Sequence, residues 1–317
     1  MSTVRAQRGA ALLLAMLTVT LVATFAAAAL WQQWRAVEVE QAERARTQSA
    51  WVLIGALDWA RLILREDGRA SNIDHLAEPW AVPLQESRLS TFLAAERGAA
   101  QTGDEDLPEV FLSGRIVDLQ SRMNIGNLVT EQGEPVDPQR EAFGRLFELL
   151  GLPQSELMTL AENLRRASLP QQDDSADVPL RPQRYDQLAW LGVSPATLQA
   201  LEPYATLLPQ TTGINLNTAS AQVIAASIEK LDLAAAERLV QARTRSAFRN
   251  VAEAAKVLEL EGQLNDASYV VRSSFFEVYG RMRMEGSVAA ERSLVRRNGN
   301  NSVTTIWRER VAADRAP

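Results

Sequence analysis

Histidine and cysteine, the side chains that most often bind zinc or carry nucleophilic catalysis, are almost absent from this sequence. His75 is the single histidine, and there is no cysteine. A lone histidine cannot complete a zinc site from the usual ligands, and no Gly-x-Ser-x-Gly turn supplies a serine nucleophile for it. No phosphate-binding glycine loop occurs either. We therefore predict that the chain is not an enzyme and that His75 makes a loop contact.

Two acidic runs could offer carboxylate oxygens to calcium. One holds Asp173, Asp174 and Asp177, and the other holds Glu134 and Asp137. Neither run has the spacing of an EF-hand loop. Calcium is therefore a hypothesis without assigned ligands, and no other cofactor is predicted.

Residues 213–219, with the sequence Gly-Ile-Asn-Leu-Asn-Thr-Ala, are the segment that could bind nucleic acid. They are similar to the turn and second-helix start of a helix-hairpin-helix, where backbone amides can hold a phosphate. Phosphate binding needs a basic footprint. The chain instead has 33 Lys and Arg against 39 Asp and Glu, a net charge of -6. We predict no nucleic-acid binding, and we expect Asn217 or Thr218 to be the N-cap of the next helix.

The elements that position these side chains begin with one long helix. Residues 10–31 carry no charge, and about 20 such residues can cross a bilayer as helix. A buried core helix or a cleaved secretory signal is the alternative, although the run is long for a signal and continues without a turn. No Pro or Gly occurs between Ala10 and Gly55. We predict a helix of about 55 residues, roughly 80 Å long.

One side of this helix stays largely apolar beyond the uncharged run, at alternating steps of three and four residues. We expect this side to be a packing stripe; its apolar members are Trp34, Val37, Ala45, Val52, Ala56, Trp59 and Ile63. Arg5 and Arg8 precede the span and no acidic residue does. The positive-inside bias therefore predicts a cytoplasmic N-terminus and a C-terminal domain across the membrane.

The N-terminus resembles the class III signal of type IV pilins and type II secretion pseudopilins, a basic leader that ends in glycine before a long apolar helix. The resemblance implies that a prepilin peptidase cleaves between Gly9 and Ala10 and methylates the new amine of Ala10. An uncleaved signal anchor is the alternative. Pilin-like proteins usually have glutamate at the fifth mature position, where it pairs with the terminal amine of a neighbouring subunit. Here that position is Leu14.

The substitution at Leu14 resembles the K type of minor pseudopilin, the general secretion pathway protein K family, which lacks this glutamate. Leu14 as an ordinary lipid-facing residue is the alternative. Four segments are similar to blocks of that family in the same order: residues 73–83, 114–128, 213–219 and 273–278. The resemblance implies a tip subunit of the type II secretion pseudopilus. Such a subunit nucleates assembly and limits filament length, for export of folded proteins across the outer membrane.

The same resemblance implies partners and a location. The partners are the I and J types of minor pseudopilin, then the H type, the major pseudopilin, the prepilin peptidase and the inner-membrane assembly platform. The location is the bacterial inner membrane, with a single span and a periplasmic domain. A membrane-anchored DNA-binding protein of a DNA-uptake machine is the alternative function, and it depends on residues 213–219.

The predicted fold class is α+β, with a pilin-like long N-terminal helix packed on a small antiparallel sheet and a large all-helical domain inserted between strands. Residues 67–109 are predicted to be loop, and Gly114 a bulge between two short strands. The predicted divisions are a leader at 1–9, a transmembrane helix at 10–31, a periplasmic helix at 32–66, a pilin-like α/β part at 67–136, an inserted SAM-like or helix-hairpin-helix-like domain at 137–265, and C-terminal strands at 266–317.

Overall fold

The computed structural model describes residues 8–91, 109–169, 178–284, 287–300 and 302–312. The chain forms two compact units, residues 1–54 and residues 55–317. Helix α1, Arg8–Ala70, is a single element of 63 residues, about 95 Å long. It is longer than predicted because neither Gly55 nor Gly68 ends it; a glycine inside a helix costs only about 1 kcal/mol.

The second unit contains a five-stranded antiparallel sheet in the order β1-β2-β7-β8-β9. Its strands are β1 Leu84–Arg88, β2 Val110–Asp118, β7 Phe275–Met284, β8 Ser287–Arg297 and β9 Val303–Val311. Alternation along β7 places Phe276 and Val278 on one face, where they form a core with Leu57 and Leu64 of α1. The indole of Trp80 completes this core, with its ring centroid 5.3 Å from that of Phe276.

Two sequence predictions about this sheet are wrong. Residues 84–88, predicted to be loop, form edge strand β1, which a sequence with four polar residues out of five did not reveal. Gly114 is not at a bulge, because the β2–β7 register is continuous through it. It is glycine because a Cβ there would lie 2.6 Å from the Tyr279 carbonyl oxygen. Register shifts lie instead between Leu84 and Ser87, where β1 meets β2, and between Leu294 and Val295, where β8 meets β9.

The chain between β2 and β7 forms the insertion, which is mostly helical. Its helices are α2 Asp137–Leu149, α3 Gln154–Ser168, α4 Pro195–Leu201, α5 Ala221–Ser227, α6 Leu233–Arg245 and α7 Val251–Val257, with 3-10 turns at Leu119–Ser121, Ile125–Leu128 and Tyr185–Leu191. Fully buried Phe143, Phe147 and Leu188 lie in its core. The predicted fold class is confirmed.

Two short parallel pairings each join the middle of the insertion to one of its ends. Strand β3, Met123–Asn124, pairs with β4, Ala205–Thr206. Strand β5, Ile214–Asn215, pairs with β6, Tyr269–Val270. The predicted N-cap of α5 is wrong: the Ser220 side chain accepts the Val223 amide, while Asn217 and Thr218 lie further upstream in a buried turn.

Candidate functional site

The apolar part of α1 is exposed along its whole length. Leu14 is 65% exposed, and Gly9 and Ala10 lie in the first turns of the helix. Among the described residues, α1 is the one helix long and apolar enough to cross a membrane. It fits a single-pass membrane anchor. Cleavage after Gly9 stays a prediction.

Two tryptophans mark the end of the apolar run. The Trp31 and Trp34 ring centroids lie 5.7 Å apart, and both side chains are exposed. Tryptophan is enriched where a membrane span meets the water interface. This pair is a second signal for where the span ends, one that the prediction from charge alone did not use.

The predicted packing stripe lies beside the buried face of the helix in the second unit. Ala56, Trp59 and Ile63 are half-buried, whereas the fully buried side chains are Leu57, Ala60 and Leu64, each one residue further along. One residue is a rotation of about 100° on a helix. The earlier stripe members lie in the first unit, where Trp34 and Val37 are exposed and Ala45 and Val52 are half-buried. Whether a partner covers the stripe stays a prediction.

A buried ionic cluster joins the end of α1 to the sheet. The Arg297 guanidinium donates to Asp67 Oδ2 at 3.0 Å and to Asp74 Oδ1 at 2.6 Å. It also donates to the Ser273 carbonyl at 2.8 Å and lies over the Phe276 ring. Both Arg297 and Asp74 are almost completely buried. The end of β8 therefore holds the end of α1 through one cation.

Asp118, at the end of β2, extends this cluster into the insertion. Its Oδ2 atom accepts hydrogen bonds from Thr218 Oγ1 at 2.6 Å, Ser273 Oγ at 2.7 Å and Asn215 Nδ2 at 3.1 Å. Asn215 Nδ2 also donates to the Asp74 carbonyl. Asn215 and Thr218 belong to residues 213–219, which the sequence had singled out. Their side chains join the insertion to the sheet.

Negative charge exceeds positive charge at this place, which we call the junction cluster: Asp67, Asp74, Glu78, Asp118 and Arg297. Burial raises the pKa of Asp67 to about 7, helped by the negative charges of Glu78 and Asp74. Burial likewise raises the pKa of Asp118 to about 6, against the hydrogen bonds that it accepts. At least part of the cluster is thus protonated near neutral pH.

His75, predicted to make a loop contact, lies at the rim of the junction cluster. Its Nε2 atom is 3.8 Å from Glu78 Oε1. Glu78 Oε2 accepts from the Trp80 indole at 2.8 Å and from the His75 amide at 2.9 Å. These contacts fix the turn that follows α1.

The junction cluster does not fit a metal ion. Oxygens of Asp67, Asp74 and Glu78 lie within 4.8 Å of one another. Arg297, however, bridges two of these carboxylates and supplies the positive charge. Of the acidic runs considered for calcium, Asp137 pairs with Arg140 and Glu134 is exposed. Asp173, Asp174 and Asp177 lie outside the described residues. Calcium binding stays a prediction without assigned ligands.

The backbone of residues 213–219 is not available to a phosphate. All seven residues are buried. The Ile214 and Leu216 amides donate to the Ser268 and Val270 carbonyls, and the Asn217 amide donates to Asn215 Oδ1. The Thr218 and Ala219 amides donate to the Asn215 carbonyl. The helix-hairpin-helix likeness therefore reflects internal packing at this segment.

A long, exposed apolar helix that continues onto a small antiparallel sheet defines the class of pilin-like subunits. The helical insertion between sheet strands distinguishes this chain within that class. Family models described as "Type II secretion system (T2SS), protein K" match residues 121–210 and 214–272. The chain belongs to the type II secretion system protein K family and is a minor pseudopilin, as the sequence blocks predicted.

Two relatives agree with this family. Type II secretion system protein K of Pseudomonas aeruginosa is 27% identical over 305 residues, covering 88% of this chain and 86% of that protein. A chain in the crystal structure of the GspK-GspI-GspJ complex of the enterotoxigenic Escherichia coli type 2 secretion system matches in fold. Its TM-score is 0.62 at 16% identity, and the match covers 86% of this chain and 99% of that one. The family is a secretion-system component and not an enzyme family.

Proposed function

We propose that this minor pseudopilin occupies the tip of the type II secretion pseudopilus, nucleates its assembly and limits its length during export of folded proteins across the outer membrane. Leu14 is the observation that carries the proposal. A carboxylate at bilayer depth costs about 2.5–3.5 kcal/mol unless a partner compensates it. A leucine there makes no ion pair with a neighbouring terminal amine. The tip is the filament position where that pairing is vacant.

The insertion supports the same position. It occupies the chain between β2, Val110–Asp118, and β7, Phe275–Met284, and it has its own hydrophobic core. In a helical filament every subunit repeats the same contacts with its neighbours. A bulky insertion repeated along the shaft would crowd those contacts, whereas a single copy can project freely from one end.

The proposed partners follow from the family. The Escherichia coli structure holds GspK together with GspI and GspJ. We propose that the I and J types of minor pseudopilin bind this chain first, followed by the H type and the major pseudopilin. The prepilin peptidase would cleave after Gly9 and methylate Ala10, and the assembly platform would extract the subunit from the inner membrane. With Arg5 and Arg8 before the span, the N-terminus faces the cytoplasm.

Electron microscopy of labelled filaments tests the tip position. The full-length chain, carrying a small C-terminal tag, replaces the natural gene in a strain that overproduces the major pseudopilin. Gold-labelled antibody should mark one end of each filament, and deletion of the gene should lengthen the filaments and abolish secretion. A tagged major pseudopilin is the control that marks the whole shaft. Gold spaced regularly along the shaft for this chain would contradict the proposal.

Leu14→Glu tests the role of the apolar residue. The glutamate should reduce stable membrane insertion when the chain is expressed alone, because its carboxylate has no partner amine. Coexpression of companion pseudopilins should restore insertion if an amine lies close by. Leu14→Met is the matched control. Equal insertion of the glutamate variant alone would show that position 14 is an ordinary surface residue.

A further inference from the structure

The junction cluster connects parts of the second unit that are far apart in sequence. Asp67 lies in the last turn of α1, Asp118 ends β2 and Arg297 ends β8, while Asn215 and Thr218 come from the insertion. Hydrogen bonds connect these groups in series, from Asp67 through Arg297 and Asp74 to Asn215, Asp118 and Thr218. Whatever changes the charge of this cluster therefore acts on the joint between insertion, helix and sheet.

The cluster holds more acids than its one arginine can neutralise. Asp74 accepts from Arg297 and from the Ser273 amide, so the charged form of Asp74 has strong partners. Asp67 shares the same guanidinium but lies near the charges of Asp74 and Glu78. Asp118 receives its hydrogen bonds from neutral donors only. Asp67 and Asp118 are therefore the members that hold a proton most readily.

We propose that the junction cluster is a proton-dependent joint, which holds the insertion tightly to the sheet in mildly acidic medium and loosens progressively as the pH rises from 5 to 8. Deprotonation adds negative charge at the half-buried carboxyl group of Asp67 and at the fully buried one of Asp118. Separating the insertion at Asn215 and Thr218 admits water and relieves that charge. This inference concerns the joint itself and does not depend on the tip position.

Other charged groups around Asp67 and Asp118 do not cancel the effect. Glu78 adds a further carboxylate from the turn after α1, and His75 lies beside it. Arg272 is directed to the Gly68 carbonyl and Asn72 Oδ1 at the end of α1. Asp74 adds a negative charge that acts on both Asp67 and Asp118. Arg297 is the cation that directly pairs with the cluster among the described residues.

The sign of the pH effect follows from the linkage between proton binding and opening of the joint. The raised pKa values, about 7 for Asp67 and about 6 for Asp118, mean that the closed joint binds more protons than an opened, hydrated one. Raising the pH from 5 to 8 should therefore raise the ratio of open to closed joint. With open-state pKa values near 4, each group alone contributes a factor of roughly ten or more.

Spin labels can measure this opening directly, because the chain has no cysteine of its own. Cysteines replace exposed Ser155 on α3 and exposed Thr305 on β9 in the full-length chain, which is purified in detergent micelles. Pulsed electron paramagnetic resonance then records the distance between the labels from pH 5 to 8.5. We expect a narrow distribution at pH 5 and a second, longer component that grows reversibly as the pH rises and levels off near pH 8.

Two substitutions in the labelled chain show whether the pH response of the label distance comes from Asp67. Asp67→Asn should reduce the pH response at least severalfold, because the amide cannot ionise while its oxygen can still accept from Arg297. Asp58→Asn, on the same helix but exposed and paired with Arg61, should leave the response unchanged. If Asp67→Asn does not fold, the same pH series on Asp118→Asn and on the labelled chain without either substitution still tests the proposal. A distance distribution identical at pH 5 and pH 8.5 would overturn the proposal, as would an undiminished response in a folded Asp67→Asn chain.

Discussion

The exposed N-terminal part of α1 and the junction cluster place opposite demands on their surroundings. Leu14 and its neighbours on the helix are apolar and uncovered, so this part needs lipid or partner helices. The polar groups of the junction cluster are hydrogen-bonded to one another. What varies there is the net charge of the cluster, because its carboxyl groups gain or lose protons. The first region thus responds to what binds it, and the second responds to the proton concentration.

The largest expected effect concerns the lipid-facing region. Gly9→Leu should block removal of the leader, so that the precursor accumulates in the membrane and no mature chain forms. Electrophoresis and mass spectrometry of the membrane fraction check this. Ser2→Ala, within the same leader, is the control. Normal maturation of the Gly9 variant would remove the processing assignment and leave α1 as a permanent anchor.

Loss of the arginine is the largest expected effect in the junction cluster. Arg297→Ala leaves Asp67 and Asp74 without their cation and should lower the free energy of unfolding by about 3–5 kcal/mol. The loss should be smaller at pH 5 than at pH 8, because the abandoned carboxylates can then take up protons. Urea unfolding of the full-length chain in micelles at both pH values measures it.

Arg65→Ala is the matched control for that measurement. Arg65 lies on α1, two residues from Asp67, but its side chain is 43% exposed and pairs with Glu66 at 3.0 Å. Its removal should change the free energy of unfolding by less than about 1 kcal/mol. Equal losses for the two arginines would show that the junction cluster contributes no more than a surface ion pair.

Some regions of the molecule could be predicted from the sequence and others could not. The uncharged run, the helical insertion and the late strands carry strong periodic signals, and all three were predicted. Edge strand β1 was missed because its polar residues, Gln85 and Glu86 among them, show no apolar alternation. The junction cluster was missed because Asp67, Asp118 and Arg297 are far apart in sequence and each resembles an ordinary surface charge. Only the tertiary fold brings them together.

The packing stripe shows a finer limit. Apolar residues on α1 cover more than one face, so period alone fits both the stripe through Ile63 and the buried line through Leu64. The sheet selects the second, because Phe276, Val278 and Val295 meet Leu57 and Leu64. Half-buried Ile63 packs at the edge of the same core, and the stripe as a surface for partner helices stays a prediction.

Alanine substitutions at Leu64 and Leu62 distinguish the buried face of α1 from its exposed face. Leu64→Ala removes a fully buried side chain and should lower the free energy of unfolding by about 2–5 kcal/mol. Leu62→Ala, two residues earlier and 43% exposed, should lower it by less than about 1 kcal/mol. Urea unfolding of both variants gives the comparison. A larger loss of unfolding free energy for Leu62→Ala than for Leu64→Ala would mean that α1, without partner subunits, packs on the sheet through the face that carries Leu62.

The smallest expected effect is the pH dependence of stability in the unaltered chain. Asp67 and Asp118 have folded-state pKa values of about 7 and about 6, above the value near 3.8 expected when unfolded. Because both pKa values are raised, the folded state binds more protons, and stability falls as the pH rises from about 4 through 7. With their full shifts the two groups together would give a loss of about 4 kcal/mol between pH 5 and pH 8. Because Asp67 is only half-buried and partly screened by water, we expect about half of that, roughly 2 kcal/mol. The loss should level off above pH 8, where both groups are ionised in either state.

Urea unfolding at half-unit steps of pH tests this sign as well as its size. Asp67→Asn should flatten the curve from pH 5 up to about pH 7, where the folded state holds the Asp67 proton and the unfolded state does not. Asp58→Asn should leave the curve unchanged. Ionic strength is held constant, because exposed pairs such as Arg44 with Glu40 are screened by salt and the buried cluster is not. If stability instead rises from pH 5 to pH 8, then the carboxylates of the cluster are better stabilised as anions than their burial indicates. In that case the hydrogen bonds from Asn215, Thr218 and Ser273 outweigh the cost of removing Asp118 from water.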